Sequence, residues 1–130
     1  MTEKLIKIPL AEGSLQNSEL EDFRYSSGSL ELILSSGDNA EGSKVKVLFD
    51  WIYSFRVTDE GDLLKMQEEQ KGGMLTGLYR VEKSKYLEWF NEQNGNVHDG
   101  VVHYMFSTVD DVIDILASIS PSISVNNINS

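Results

Sequence analysis

The feature that most constrains the fold is a thirteen-residue stretch, 45–57, in which apolar and polar side chains alternate. Every odd position of this stretch is apolar or aromatic, and most even positions are polar. Side chains of a β-strand point alternately to opposite faces, so the pattern predicts a strand with one apolar face. At about 3.3 Å per residue it would extend for roughly 43 Å, well beyond a usual strand. We therefore expect one long, bent central strand or two strands joined at a kink. The side chains expected to face the core are Val47, Phe49, Trp51 and Tyr53.

A second alternating segment lies just before this stretch. Leu30, Leu32 and Leu34 share one face of a strand predicted over 29–35. The turn-rich connection 36–43 then predicts an antiparallel hairpin, which would place the leucines beside Val47, Phe49 and Trp51. Other strands are predicted over 4–10, 75–82 and 101–107, with a short edge strand at Ile123–Val125. Segment 19–25 fits a helical turn or a short strand, and we favour the strand.

Three helices are predicted from capping residues and apolar spacing. Thr58 or Asp59 begins a short polar helix that ends at Gly72-Gly73, and Ser84 begins one over 85–93. The clearest helical pattern follows Thr108, which forms a capping box with Asp111. The apolar residues that follow at helical spacing are Val109, Val112, Ile113 and Leu116.

Together these elements predict one α+β domain over residues 1–130, with 126–130 as a frayed tail. The strands dominate the first half of the chain, and strands alternate with helices in the second half. We therefore expect a mainly antiparallel sheet with two or three helices packed on one side.

Composition excludes several classes of function. The 130-residue chain has no Cys, which excludes disulfides and thiolate chemistry and suits a reducing compartment. No signal peptide is apparent in the first ten residues, and no apolar run approaches the length of a membrane span. The net charge of −10 opposes binding to nucleic-acid phosphates. We expect a cytoplasmic protein that binds neither membranes nor nucleic acid.

The negative charge is concentrated in the last third of the chain. Residues 1–85 hold fifteen acidic and eleven basic residues, whereas residues 86–130 hold six acidic residues and no Lys or Arg. Such an excess serves solubility, or it forms a surface for a basic partner.

The ligand-type and titratable residues give little sign of catalysis. His98, Asp99 and His103 form the one local cluster with metal-ligand side chains, but His103 shares a strand face with apolar residues and fits a partly buried histidine better. Acidic pairs at 59–62 and 110–111 precede predicted helices, where capping explains them. The sequence has no nucleophile motif and no phosphate-binding loop, and we expect no metal or other cofactor.

Trp89 lies away from the apolar side of its predicted helix, which is formed by Tyr86, Leu87 and Phe90. Glu88 and Glu92 flank it. An exposed aromatic side chain among acidic residues fits an interface anchor, although a Trp at the rim of the core fits the pattern too.

Segments 78–90 (LYRVEKSKYLEWF), 103–108 (HYMFST) and 112–116 (VIDIL) resemble segments of small, mostly uncharacterised bacterial proteins, some of which are similar to immunity proteins of toxin systems. The likeness covers roughly residues 30–125. It implies a bacterial α+β domain that acts by binding, and it assigns no functional residue.

Three hypotheses follow. The first is a non-enzymatic, immunity-type protein that neutralises a basic toxin domain. The second, from a different class, is a small-molecule-binding domain or cryptic enzyme with a pocket near His103, Tyr104 and Trp51. The third is a homodimeric structural module that pairs through an edge strand. For the first, the expected partner-binding residues are Glu88, Trp89, Glu92, Asp110, Asp111 and Asp114.

Overall fold

The computed structural model describes residues 3–8, 18–35, 43–69 and 76–127. Several predicted features lie outside these residues. They include the hairpin connection 36–42, the helix end at Gly72-Gly73 and most of the tail. The strands are β1 (Lys4–Lys7), β2 (Glu19–Ser26), β3 (Ser29–Ser35), β4 (Ser43–Phe49), β5 (Ser54–Asp59), β6 (Gly77–Glu82), β7 (Val102–Ser107), β8 (Asp111–Ala117) and β9 (Ser122–Asn127). A 3-10 turn at Glu60–Asp62 precedes α1 (Leu64–Glu69), and α2 spans Lys85–Asn94.

The strands form two antiparallel sheets. One has five strands in the order β1-β6-β7-β8-β5, and the other has four in the order β2-β3-β4-β9. Strand accounts for 55% of the described residues and helix for 18%. The prediction of mainly antiparallel pairing is therefore confirmed. The predicted single sheet with two or three helices on one side is corrected to two sheets with little helix. No helix in the described part of the chain is long and apolar enough to cross a membrane.

One hydrophobic core lies between the two sheets. β3 and β4 form the predicted hairpin, in which Leu30 pairs with Phe49 and Leu32 with Val47. These side chains are fully buried and pack against the inner face of the five-stranded sheet. That face contributes Leu78, Tyr104, Phe106, Ile113, Ile115 and Ala117. The predicted strand over 19–25 and the predicted edge strand at Ile123–Val125 are also present, as β2 and β9.

The alternating stretch 45–57 divides into two strands that belong to different sheets. β4 ends at Phe49, and β5 begins at Ser54 on the opposite sheet. In the connection the inward residue is Ile52, whose N–H donates to the carbonyl of Gly28. Trp51 is 50% exposed and lies against Gly28, so the prediction that it faces the core is wrong. The crossing between sheets interrupts the alternation that the sequence pattern suggested.

The helix predicted after Thr108 is wrong, because this segment is strand β8. The Thr108 hydroxyl does accept from the Asp111 N–H (3.0 Å), as a capping box requires, but here the bond closes the turn of the β7–β8 hairpin. β8 is the fourth of five strands and is buried on both faces, where its residues from Val112 to Ala117 are at most 2% exposed. A strand buried on both faces has a continuous apolar run, which also fits helical spacing.

Both helices contact the outer face of the five-stranded sheet. Leu63 and Met66, at the start of α1 and within it, pack against a second buried cluster on that face. α2 begins at Ser84 as predicted and ends at Gly95, whose positive φ (68°) suits glycine at a helix C-terminus.

Candidate functional site

The predicted partner-binding residues separate into two surface groups and one buried residue. Glu88, Trp89 and Glu92 are exposed on α2. Asp110 is exposed in the β7–β8 turn, and Asp111 begins β8. β7 runs from the α2 end of the sheet, where Val102 pairs with Ala117, to this turn. The two surface groups therefore lie at opposite ends of the five-stranded sheet and do not form one contact surface.

Asp114 does not belong to any exposed surface, and its predicted role as a partner-binding residue has to be corrected. It lies on β8 and is 2% exposed. Its Oδ2 accepts a hydrogen bond from Nε of Arg56 (2.8 Å), and its Oδ1 lies 2.6 Å from Nε2 of His103. Both carboxylate oxygens therefore have partners inside the protein. Asp114 has a structural role beneath α2.

His103 connects this carboxylate to the start of α2. Its Nδ1 lies 2.6 Å from Oγ of Ser84, which in turn accepts from the N–H of Leu87 (2.9 Å). Because an ionised carboxylate only accepts, Nε2 of His103 carries the proton that is donated to Asp114. Nδ1 can then accept the hydroxyl proton of Ser84. Both ring nitrogens of a fully buried histidine are therefore paired, whether Nδ1 accepts from Ser84 or is protonated and donates to it, and the first turn of α2 is fixed to β7.

The pKa of Asp114 reflects this environment. Burial by itself would raise the pKa of the carboxyl group, because it penalises the charged form. The hydrogen bond and electrostatic interaction with His103, together with the Arg56 guanidinium, outweigh burial and hold the pKa below its ordinary value. Asp114 is therefore a buried carboxylate that is kept ionised by its partners.

Arg56 links the buried carboxylate to an aromatic stack on the surface. Its guanidinium lies 4.3 Å from the ring centroid of Tyr86, and the Tyr86 hydroxyl is hydrogen-bonded to Ser54. Burial raises the pKa of the Tyr86 hydroxyl, an effect that the bond to Ser54 partly offsets. Trp89 stacks on Tyr86 with a centroid distance of 6.0 Å and an interplanar angle of 18°, and it is 52% exposed. The exposed indole is thus supported by a ring whose own position is fixed from below.

The C-terminal half of α2 is held by a second aromatic group. Phe90 stacks on His98 with an interplanar angle of 13°, and Tyr53 contacts both rings. α2 is therefore attached near both ends, which limits its movement relative to the sheet.

An open groove of about 580 Å³ runs along the other side of α2. Its charged lining residues are Lys83, Lys85, Glu88 and Glu92, and Leu87 and Asn91 lie among them. Because both signs of charge line the groove, it is not a uniformly acidic surface.

Ser84, His103 and Asp114 have the order of a Ser-His-Asp triad, but the surroundings do not suit acyl transfer. An acyl intermediate needs N–H donors directed at its oxyanion. The N–H groups at the start of α2 already have acceptors, since those of Lys85, Leu87 and Glu88 donate to the Glu3 carboxylate, the Ser84 hydroxyl and the Ser84 carbonyl. The chain of hydrogen bonds fits the fixing of α2 better than catalysis.

The pocket predicted near His103, Tyr104 and Trp51 is not assembled from these residues. His103 and Tyr104 are neighbours on β7 and point to opposite faces of the sheet, and both are buried. Trp51 lies on the surface against Gly28. Among the described residues, no group of three or more His, Asp or Glu side chains is placed to hold a metal ion.

The sequence did not reveal the partners of His103 and Asp114, because Arg56, Ser84 and Asp114 come from separate parts of the chain. One signal was available: His103 and Asp114 each interrupt an apolar run. A polar residue at such a position is buried and requires a partner.

Comparison of the chain with protein-family models, with curated proteins and with solved structures gives no match. The geometry of the molecule is therefore the basis for the functional proposal.

Proposed function

We propose that this chain is a non-enzymatic binding protein whose partner is a basic protein, and that Trp89 on α2 is the central anchor of the interface. The observation that carries this proposal is the support of the half-exposed indole by Tyr86, which is itself held by Arg56 and the buried Asp114. Exposed tryptophans that are fixed before binding lose little conformational freedom on association, and Trp is enriched among residues that dominate binding energy.

The charge of the partner is inferred from the chain as a whole. Glu88 and Glu92 are exposed on α2 beside Lys83 and Lys85, so the surface near Trp89 has both signs of charge, whereas the chain has a net charge of −10 and no Lys or Arg after Lys85. Opposite potentials accelerate encounter, whereas a desolvated aromatic anchor slows release. Asp110 lies at the far end of the sheet, so its contribution would be to the long-range field rather than to the contact.

From the resemblance to immunity proteins, we further propose that the basic partner is a toxin domain. Binding would take place in the bacterial cytoplasm, a reducing compartment for which a chain without Cys is suited.

The test measures the kinetics of binding to a candidate partner, and the protein encoded by the neighbouring gene is the one to try first. Trp89→Ala should raise k_off about tenfold or more, because the anchor acts after encounter. The matched control is Trp51→Ala, which removes the other half-exposed tryptophan and should leave k_off unchanged.

The charge arm compares Glu88→Gln with Asp110→Asn, which remove one charge each at opposite ends of the sheet. Glu88→Gln should lower k_on more, and the difference should shrink between about 50 and 300 mM salt as screening increases. Equal k_off for wild type and Trp89→Ala would contradict the proposed anchor, and an on-rate indifferent to salt would contradict the basic partner.

A further inference from the structure

Among the described residues, the two sheets leave four edge strands, and two of these carry features that oppose pairing with another chain. β1 carries Lys4 and Lys7 in a strand of four residues. β2 has a register irregularity between Leu20 and Asp22. Short length, lysines and bulges are usual means by which an edge avoids pairing. β9 lacks these features, but its apolar residues Ile123 and Val125 pack against the core.

Among the described strands, β5 also lacks these features and, unlike β9, exposes its apolar side chains. Phe55 is 36% exposed and Val57 is 46% exposed, so apolar side chains of this strand remain in water. Its pairing with β8 continues without a register shift from Ser54–Leu116 to Asp59–Asp111. A regular edge strand with exposed apolar side chains is a site where another strand can add.

The direction of the backbone groups can be derived from the hydrogen bonds of β8. The Glu60 N–H donates to the Asp110 carbonyl (2.9 Å), which makes this pair a hydrogen-bonded one. Hydrogen-bonded and non-hydrogen-bonded pairs alternate along an antiparallel ladder, so Thr58, Arg56 and Ser54 also bond to β8. The N–H and C=O groups of Phe55 and Val57 therefore point away from β8, toward the side of β5 on which no described strand lies.

Aromatic side chains flank this edge on both faces of the sheet. On the inner face, the ring of Phe55 lies 5.0 Å from that of Phe23 and 5.3 Å from that of Tyr25, which is 50% exposed. On the outer face, Arg56 supports the stack of Tyr86 and Trp89. The side chains of an added strand would alternate between these two faces, so both would find aromatic contacts.

Charge decides which kind of chain would occupy the edge. β5 leads into the exposed acids Asp59 and Asp62, and the charge of Arg56 is already paired with Asp114. A second copy would bring another net charge of −10, whereas a basic segment would be attracted.

We propose that β5 receives an extended basic segment of the partner as an added strand, bonded to the backbone of Phe55 and Val57. This inference rests on the proposed function, since it describes how the same basic partner docks beside Trp89.

The first experiment uses peptides as probes and leaves the protein unchanged. The probe is a capped eight-residue peptide in which lysine alternates with valine or phenylalanine. Its controls are the same peptide with glutamate in place of lysine, and a form N-methylated at alternate residues so that it cannot donate along one edge. We expect the basic peptide at saturation to slow amide exchange of Phe55 and Val57 at least tenfold, and we expect both controls to bind at least tenfold more weakly.

The second experiment changes the protein and measures its affinity for the basic peptide of the first experiment and for the candidate partner used to test the proposed function. Val57→Pro removes the N–H that points away from β8 and leaves the bonds to β8 in place, as proline permits at an edge strand. Val57→Thr is the matched control, because it retains the N–H and a β-branched side chain. Val57→Pro should weaken binding at least tenfold more than Val57→Thr does.

The outcomes separate this inference from the proposed function. Equal binding of the N-methylated peptide, or protection of other amides alone, would overturn the added strand. A dimer of the protein alone that protects Phe55 and Val57 would assign the edge to a second copy and would also overturn it. If Trp89→Ala speeds dissociation of the partner while Val57→Pro has no effect, the strand inference fails and the proposed function stands. If Val57→Pro weakens binding and Trp89→Ala leaves k_off unchanged, the anchor fails instead.

Discussion

Replacing Asp114 with alanine should destabilise the protein more than replacing any exposed acidic residue with alanine would. The carboxylate is 2% exposed, and both of its oxygens are bonded, one to His103 and one to Arg56. Its removal leaves the Nε2–H of a fully buried imidazole without an acceptor. Arg56 is affected less, because its side chain is 45% exposed and water can replace the lost bond.

The magnitude follows from these two different environments. An unsatisfied buried donor costs about 1–3 kcal/mol, and breaking a buried charged pair by removing one partner costs about 3–5 kcal/mol in all. Asp114→Ala leaves a buried donor unsatisfied but no buried charge, because Arg56 is 45% exposed, so we expect about 2–4 kcal/mol: about 1–3 for the donor and up to about 1 for the lost ion pair. The matched change Arg56→Gln should cost about 1 kcal/mol, because a half-exposed ion pair is screened by solvent.

The pH dependence gives a second reading of the same site. The pKa of folded Asp114 is lowered, so its charge stabilises the fold above the unfolded-state pKa of about 3.9. That contribution is lost as the pH falls through the lower folded-state value. Below about pH 4 the free energy of unfolding of the wild type should therefore fall more steeply than that of Asp114→Asn, which has no carboxylate to protonate at this position.

Urea unfolding of the wild type, both Asp114 variants and Arg56→Gln, followed by circular dichroism, measures these differences. Comparing titrations at pH 7 and at several lower values gives the pH arm. A cost below about 1 kcal/mol for Asp114→Ala, or an equal cost for Arg56→Gln, would refute the account of a buried carboxylate that satisfies His103.

Two further predictions concern the core and the β7–β8 turn. Phe49→Ala should cost about 3–5 kcal/mol, because the ring is fully buried between the sheets, whereas Asp50→Ala should change stability by less than about 0.5 kcal/mol. The reverse order in a urea titration would mean that the register of β4 is wrong. Thr108→Ala removes both hydroxyl bonds to Asp111 and should cost about 1 kcal/mol, while the amides of β8 should exchange slowly in the wild type. Fast exchange there would contradict a strand buried in the sheet.

Short-range patterns in the sequence determined several elements of the fold. The β3–β4 hairpin followed from leucines and valines two residues apart, because only a strand places such residues on one face. α2 followed from Ser84 at its start and Gly95 at its end, where backbone groups without helical partners demand particular residues. The exposure of Trp89 also followed from the sequence, since its position relative to Tyr86 and Phe90 depends on helical geometry alone.

Other features depended on what surrounds a segment in space. The spacing of the apolar residues in β8 also fits a helix. The segment is a strand because it pairs with β7 on one side and β5 on the other, in a sheet that is covered on both faces there. Trp51 continued an apolar alternation, yet it lies on the surface, because the chain crosses there from one sheet to the other.

The site itself was decided by tertiary structure. His103, Asp114 and Arg56 come from three neighbouring strands of one sheet, and no sequence spacing relates them. The sequence showed that His103 and Asp114 interrupt apolar runs. Polar residues at such positions need partners inside the protein. Which partners they found depended on strand order and register, and these are fixed by burial of the whole core rather than by any local segment.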